Sequence, residues 1–161
     1  MKTCEWCNLT EKEKKWLVIE TKYWFVYLAD VQDYIGRCIL VVKRHCCILS
    51  ELNITEWTEL KEIIDKLERF YKEILGAELC NWSCLMNNFY KEDVPNPHIH
   101  IHVRPRYRQP VVINNRSYTD DEFGHHYGLR KDTKLCEADR FIVSVDERLS
   151  ECINMNRRSG K

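Results

Sequence analysis

The sequence has no surplus of charge of either sign: 25 Lys and Arg stand against 25 Asp and Glu in 161 residues, a formal net charge of zero. Without a basic field a chain has no general hold on nucleic acid polymers or anionic membranes, so neither is an expected partner. It also lacks any apolar run approaching the roughly 20 residues that a membrane helix needs. No signal-peptide pattern opens it, because a charged stretch at residues 11–15 comes before any long apolar segment. A cytoplasmic location is therefore expected. Internal repeats and low-complexity segments are absent, which leaves an ordinary globular domain as the expected class. Hydrophobic residues at 44% and charged residues at 31% agree with that, and the length suits one domain with a short extension. Cysteine is the exception to this sparseness. There are nine, odd in number and irregularly spaced, so in a reducing compartment most are buried thiols, and a close Cys-x-x-Cys becomes a metal or redox candidate.

Two strand-like runs, 16–20 and 23–29, flank the turn-like Thr21-Lys22. A loop over 30–35 leads to Gly36 and to the β-branched run Cys38-Ile39-Leu40-Val41-Val42, a third strand. A helix is expected from an N-cap at Thr55, with Glu56 in its first turn. Trp57, Leu60, Ile64, Leu67, Tyr71 and Ile74 recur at offsets of three and four, a core-facing stripe that stops at Gly76. Residues 79–88 read as a fourth strand, ending in Asn87-Asn88. After a loop holding Pro95 and Pro97, residues 98–104 alternate with a period of two. Beyond Pro105 the chain is polar until Phe141-Ile142-Val143, and residues 154–161 read as a solvated tail. Strands, one long helix and then strands again favour an α+β fold with an antiparallel sheet.

The strongest chemical signal is His98, His100 and His102. Alternate residues of a strand share a face, so three imidazoles line up while Ile99, Ile101 and Val103 face the other way. Three packed core histidines would each need a hydrogen-bond partner, which makes a purely structural role the weaker reading. Two functional readings stay open on spacing alone: a metal site of the His-x-His type, or one imidazole acting as a nucleophile that its neighbours orient. Cys4-x-x-Cys7 supplies half the ligands of a tetrahedral zinc. It is equally compatible with redox chemistry or with two ordinary thiols. His45, just after the third strand, is a candidate ligand that in isolation reads as an ordinary histidine at a strand end. Arg104, Arg106 and Arg108 alternate along and beyond the histidine strand, either as a phosphate-facing patch or as solvated charges, the commoner case. Asn87 and Asn88 can donate to phosphate or simply serve a turn. His125-His126 reads as an exposed pair.

Together these segments resemble the histidine triad family. HIHIHV followed by RPRY is similar to its His-x-His-x-His signature, and GRCILVVKRH at 36–45 is similar to its upstream Gly-x-x-Leu-Val-x-Pro-Lys-x-His segment; the intervening helix and the MNN at 86–88 fall in the matching places. The resemblance covers about residues 4–107. It implies a histidine triad domain over 1–110, an antiparallel sheet of about five strands with one long helix packed on it, and a C-terminal extension over 111–161. It also implies a homodimer joined through the helix and a strand edge. The implied activity is that of a nucleotide hydrolase or nucleotidyl transferase. His100 attacks the α-phosphate of a nucleoside phosphoramidate or dinucleoside polyphosphate and forms a covalent nucleotidyl-histidine, while His102 contacts a phosphoryl oxygen or assists the leaving group. Asn87, Asn88, Asn96 and Asp30 are the implied substrate-binding residues. Cys4, Cys7, His45 and His98 become a Cys2His2 site for structural zinc, as in bacterial-type relatives. The chain departs from the pattern at Val42 (usually proline), at Arg104 (usually apolar) and at Pro95-Asn96-Pro97, where a Gln-Ser/Thr pair usually precedes the triad. The missing Ser/Thr before the triad and the unusual Arg104 sustain an alternative, a nucleotide-binding or regulatory module with vestigial catalysis. A catalytic metal at the triad is the other enzymatic alternative. In the C-terminal extension, His126, Tyr127 and Arg130 are candidates for reaching the substrate.

Overall fold

A computed structural model describes residues 4–126. The expectations at Tyr127, Arg130, 141–143 and 154–161 lie outside the described residues. The sequence runs from a short 3-10 turn at Trp6–Asn8 and a one-turn helix α1 (Glu11–Lys14) into strands β1 (Leu17–Glu20), β2 (Trp24–Leu28) and β3 (Cys38–Val42). The long helix α2 (Ile54–Glu73) follows, then β4 (Leu79–Ser83), a 3-10 turn at Asn87–Lys91, β5 (His100–Arg106) and the hairpin β6 (Val111–Ile113) and β7 (Arg116–Tyr118). The five main strands form one sheet in the order β1-β2-β3-β5-β4, antiparallel at every pairing. With one long helix packed on it, this is the expected α+β architecture.

Period-two alternation decides which residues meet that helix. Trp24, Val26 and Leu28, then Leu40 and Val42, then Ile99, Ile101 and Val103 form the inner face, and they share a core with Leu60, Ile63, Leu67 and Phe70 of α2. The expected stripe is rotated in part: Ile63 and Phe70 are buried, whereas Trp57 is 41% exposed. The helix also starts one residue before Thr55. Asn53 is the N-cap, its side chain accepting from the Glu56 amide (3.0 Å) while the Glu56 carboxylate accepts from the Asn53 amide (2.8 Å), a reciprocal box that satisfies two orphan donors. The same Glu56 carboxylate is buried and accepts from Arg44 at 2.6 and 2.9 Å, which anchors the chain just before His45.

The fourth strand ends at Ser83 rather than Asn88, because residues 87–91 coil into a 3-10 turn. Pro105 sits inside β5 at a place the sheet tolerates. Pairing of β5 with β3 ends at Val103 opposite Cys38, so its missing N–H falls where β5 pairs only with β4. The β6–β7 hairpin, absent from the sequence expectations, turns at Asn114-Asn115, both with positive φ (48° and 61°), as a two-residue primed turn requires. Val111 and Ile113 tuck into the main core.

Candidate active site

The outer face of the sheet carries the histidines. Register places Tyr27, Ile39, His102 and Ser83 in one row across β2, β3, β5 and β4, with Val41 opposite His100 one row nearer the zinc-ligand candidates. Arg104, opposite Asn81, continues the same face of β5 one step beyond His102. The nucleophile candidate is itself buried (8% exposed), with its ring enclosed on three sides. Trp6 stacks on it (centroids 5.6 Å, 29° between planes), while Phe89 (5.6 Å) and His102 (5.0 Å) meet it edge-on.

Hydrogen bonds fix how each imidazole presents itself. His100 Nδ1 lies 2.9 Å from the His98 carbonyl. A carbonyl only accepts, so Nδ1 carries the proton and the Nε2 lone pair is left for attack. Burial pushes the His100 pKa down, against the raising effect of that hydrogen bond, which keeps the ring neutral at physiological pH. His102 has the opposite arrangement. Arg37 Nη2 points at its Nδ1 from 3.5 Å, and a guanidinium only donates, so the His102 proton belongs on Nε2. Burial first, then the nearby Arg37, His100 and Arg104, lowers His102 to about 3.

Four side chains converge at the start of β5. One ligand atom from each of Cys4, Cys7, His45 and His98 lies within 4.8 Å of the others. His98 Nδ1 is 3.2 Å from Cys4 Sγ and 3.5 Å from Cys7 Sγ, and His45 Nδ1 is 3.6 Å from Cys7 Sγ. On its far side His98 donates Nε2–H to the Val42 carbonyl at 2.7 Å, which directs the Nδ1 lone pair into the cluster. A metal-bound histidine is held by an outer partner in the same way. Burial and the adjoining Cys4 thiol push Cys7 up to about 11, so the Cys7 thiol stays protonated until a cation draws its charge out. Two thiols and two imidazoles make the four-ligand donor set of a structural zinc site. The pair Cys4/Cys7 therefore joins His45 and His98, as the resemblance implies, and structural zinc fits.

Arg104 and Arg106 are not solvated. Both are 2% exposed. Arg106 donates to both oxygens of Asp120 (2.6 and 3.1 Å) and to the carbonyls of Glu122 and His125. Arg104 faces Asp33 (3.5 Å) and Ser83 (3.5 Å), and Arg37 reaches the other Asp33 oxygen at 3.1 Å. Only Arg108 has the exposed character expected of the set, paired with Glu78. His125 and His126 are both exposed.

The substrate-binding candidates lie around the same face with less definition. Asp30 is exposed, and its side chain accepts from the Val31 amide (2.9 Å). It borders a cavity of about 200 Å³ whose walls include Trp6, Trp16, Tyr27 and Ile39. Asn87 and Asn88 are exposed at the head of the turn that also delivers Phe89 to His100. Asn96 is half-buried in the loop before the triad. Sequence reasoning did not find Trp6, Phe89, Arg37 or Asp33. Trp6 had a signal, since it lies inside the Cys4-x-x-Cys7 motif whose ligands must approach His98; the other three sit in loops or at a strand end without a pattern.

No protein-family model matches the sequence, and no curated protein is similar enough to count as a match. Solved structures do resemble it. A hypothetical histidine triad nucleotide-binding protein from Sulfolobus tokodaii strain 7 aligns over 98% of this chain and 97% of its own, with a TM-score of 0.66 and 14% identity. A zinc-bound histidine triad family protein from Mycobacterium smegmatis aligns over 86% of each chain (TM-score 0.56, 17% identity). The diadenosine triphosphate hydrolase of Plasmodium falciparum, solved with cyclomarin A, aligns over 91% of this chain and 81% of its own (TM-score 0.58, 15% identity). The chain thus has the fold of histidine triad proteins and carries three alternating histidines on its outer sheet face.

Proposed function

We propose that this chain is a histidine triad enzyme, a nucleotide hydrolase or nucleotidyl transferase whose nucleophile is His100. The observation that carries the reading is the 2.9 Å contact between Nδ1 of the buried His100 and the His98 carbonyl; a carbonyl only accepts, so the proton belongs on Nδ1 and the Nε2 lone pair is left for attack. Such a nitrogen is a nucleophile at neutral pH without a separate base. Nε2 attacks the α-phosphorus, a P–N bond forms as the bond to the leaving group breaks, and a nucleotidyl-histidine results. Water, or another acceptor in a transferase, then adds to phosphorus and the P–N bond breaks. His100 returns to its starting tautomer, and the nucleoside monophosphate leaves after hydrolysis or the nucleotidylated acceptor leaves after transfer.

The nucleoside fits the cavity bounded by Trp6, Tyr27 and Ile39, with Asp30 at its rim to accept from a ribose hydroxyl. His102, with its proton on Nε2, donates to a phosphoryl or leaving oxygen. Asn87, Asn88 and Asn96 are the candidates for further phosphate contacts. Zinc, held by Cys4, Cys7, His45 and His98, would supply no chemistry to the reaction. It would tie the N-terminal segment to the residue that orients His100.

A homodimer through α2 and the sheet edge agrees with what those elements expose: Ile54 and Trp57 on the helix and Leu79 on the edge strand β4. Light scattering at micromolar concentration reads the mass directly.

The function is tested by following release of AMP from diadenosine triphosphate and from an adenosine phosphoramidate. Loss of a covalent nucleophile costs several orders of magnitude, so His100→Ala is expected to abolish release while leaving the fold intact. AMP binding without turnover in the unaltered protein would establish the vestigial binding module instead.

A further inference from the structure

Arg37 is held with unusual care for a residue in a strand-end loop. Gln32, fully buried, donates to the carbonyls of Ala29 (2.7 Å) and Arg37 (2.8 Å) and accepts from the Gly36 amide (2.9 Å). Tyr71 and Tyr107 pin the Gly36 and Ile35 carbonyls at 2.8 and 2.7 Å. Gly36 has φ +85°, and a Cβ there would meet Tyr71 at 3.1 Å, so the loop's path is fixed by close packing. Asp33 closes the arrangement by pairing with both Arg37 and Arg104. Arg37 Nε is a buried nitrogen with no hydrogen-bond partner. A fold seldom tolerates that without a return elsewhere, and here the return is the placement of Nη2 against His102.

We infer that Arg37 is a positioning residue that holds His102 as a neutral Nε2–H donor unable to supply a proton to a leaving group, so that the enzyme favours phosphate over amine leaving groups. The inference rests on the hydrolase reading above and names its substrate class. An imidazolium needs protons on both nitrogens, and the Nδ1 position is occupied by a guanidinium that only donates. The groups facing His102 work the same way. Arg37 approaches from the start of β3, Arg104 and His100 flank it on β5, Ser83 lies opposite on β4, and the Asp33 carboxylate is engaged by the two arginines.

The consequence follows from leaving-group chemistry. When His100 Nε2 bonds to the α-phosphorus of a dinucleoside polyphosphate, the P–O bond to the next phosphorus breaks and the electron pair departs on the bridging oxygen. A terminal phosphate needs no proton to leave, since its second pKa is about 6, and the Nε2–H of His102 beside two guanidiniums stabilises the new anion. An amine leaving from a phosphoramidate must take up a proton as the P–N bond breaks. A neutral His102 would become an anion by giving one.

The experiment compares kcat/KM for diadenosine triphosphate and an adenosine phosphoramidate in the unaltered protein, Arg37→Met and Arg37→Lys, with ¹⁵N chemical shifts of the His102 ring recorded alongside. General acid catalysis is worth about 10²–10⁴-fold, so the unaltered protein is expected to favour the polyphosphate by on the order of 100-fold. Arg37→Met narrows that ratio and introduces a titrating limb between pH 5 and 7 in the phosphoramidate profile, while Arg37→Lys, still a donating cation, keeps the preference. Equal or reversed preference in the unaltered protein, or a ¹⁵N pattern with the proton on Nδ1, overturns this inference alone. No turnover of either substrate overturns the hydrolase reading and the inference together. If Arg37→Met does not fold, the substrate ratio and ring shifts of the unaltered protein still decide the matter.

Discussion

Removing the metal from the Cys4/Cys7/His45/His98 cluster should loosen the N-terminal segment and leave the sheet folded. The segment has little else to hold it. Neither the turn at Trp6–Asn8 nor the helix Glu11–Lys14 contains a buried residue, and its hydrogen bonds are mostly internal. Ordering a backbone residue costs about 1–2 kcal/mol, so residues 4–9 need on the order of 10 kcal/mol from somewhere. A structural zinc contributes about 10–16 kcal/mol in small domains, enough to account for the order by itself. Trp6 then leaves with the segment, and both the wall of the nucleoside cavity and the stack on His100 go with it. Base–aromatic stacking is worth about 1–3 kcal/mol, which predicts a KM raised by roughly 5- to 150-fold. The kcat should change little, because binding lost equally from ground and transition states appears in KM. His98 keeps its bond to the Val42 carbonyl, so the carbonyl that orients His100 stays in place. The assay is hydrogen exchange read by mass spectrometry on chelated protein and on Cys4→Ala, paired with steady-state kinetics. A segment that stays protected without metal, or a kcat that collapses while KM holds, would refute the reasoning.

Three further outcomes follow from the same geometry. Asp120→Ala leaves Arg106 buried without its carboxylate partner, and breaking a buried pair in this way costs about 3–5 kcal/mol; urea denaturation with a loss under 1 kcal/mol would show that the Glu122 and His125 carbonyls suffice. The His102 pKa of about 3 lies below the ordinary histidine value of 6.5, so below pH 6.5 the unfolded chain binds a proton that the folded chain does not. Stability is therefore full above about pH 6.5 and declines as the pH falls towards 3; His102→Gln should flatten part of that decline, and identical acid profiles for the two proteins would remove His102 as its source. Gly36→Ala forces a side chain into positive φ against Tyr71 and Leu75 and is expected to cost about 1–3 kcal/mol, with a change in thermal midpoint as the measure.

The sheet and its catalytic strand were legible because alternation is a local signal. The run 38–42 and the histidine strand each declared their two faces within seven residues, and the inner face was Ile99, Ile101 and Val103 as read. The helix was legible in existence but not in rotation. Ile63 and Phe70 compete with Trp57 for the same stripe, and only the packed sheet decides between them. Its start was displaced because Asn53 pairs reciprocally with Glu56, a better cap than Thr55 can form. The β6–β7 hairpin had a readable turn in Asn114-Asn115 but strands of only three residues, too short for a periodic signal. Arg104 and Arg106 read as solvated since their carboxylates, Asp33 and Asp120, lie 71 and 14 positions away; nothing local announces such pairs. The same limit hid Arg37, whose role depends on a register between β3 and β5 that no single strand encodes.

The central claim is that His100 becomes covalently nucleotidylated. Intact-mass spectrometry of the protein mixed with diadenosine triphosphate and quenched in the first turnovers tests it directly, with His100→Ala as the control. A transient adenylyl adduct is expected on the unaltered protein and none on His100→Ala. An adduct that persists in His100→Ala, or hydrolysis that proceeds in it undiminished, would contradict the account.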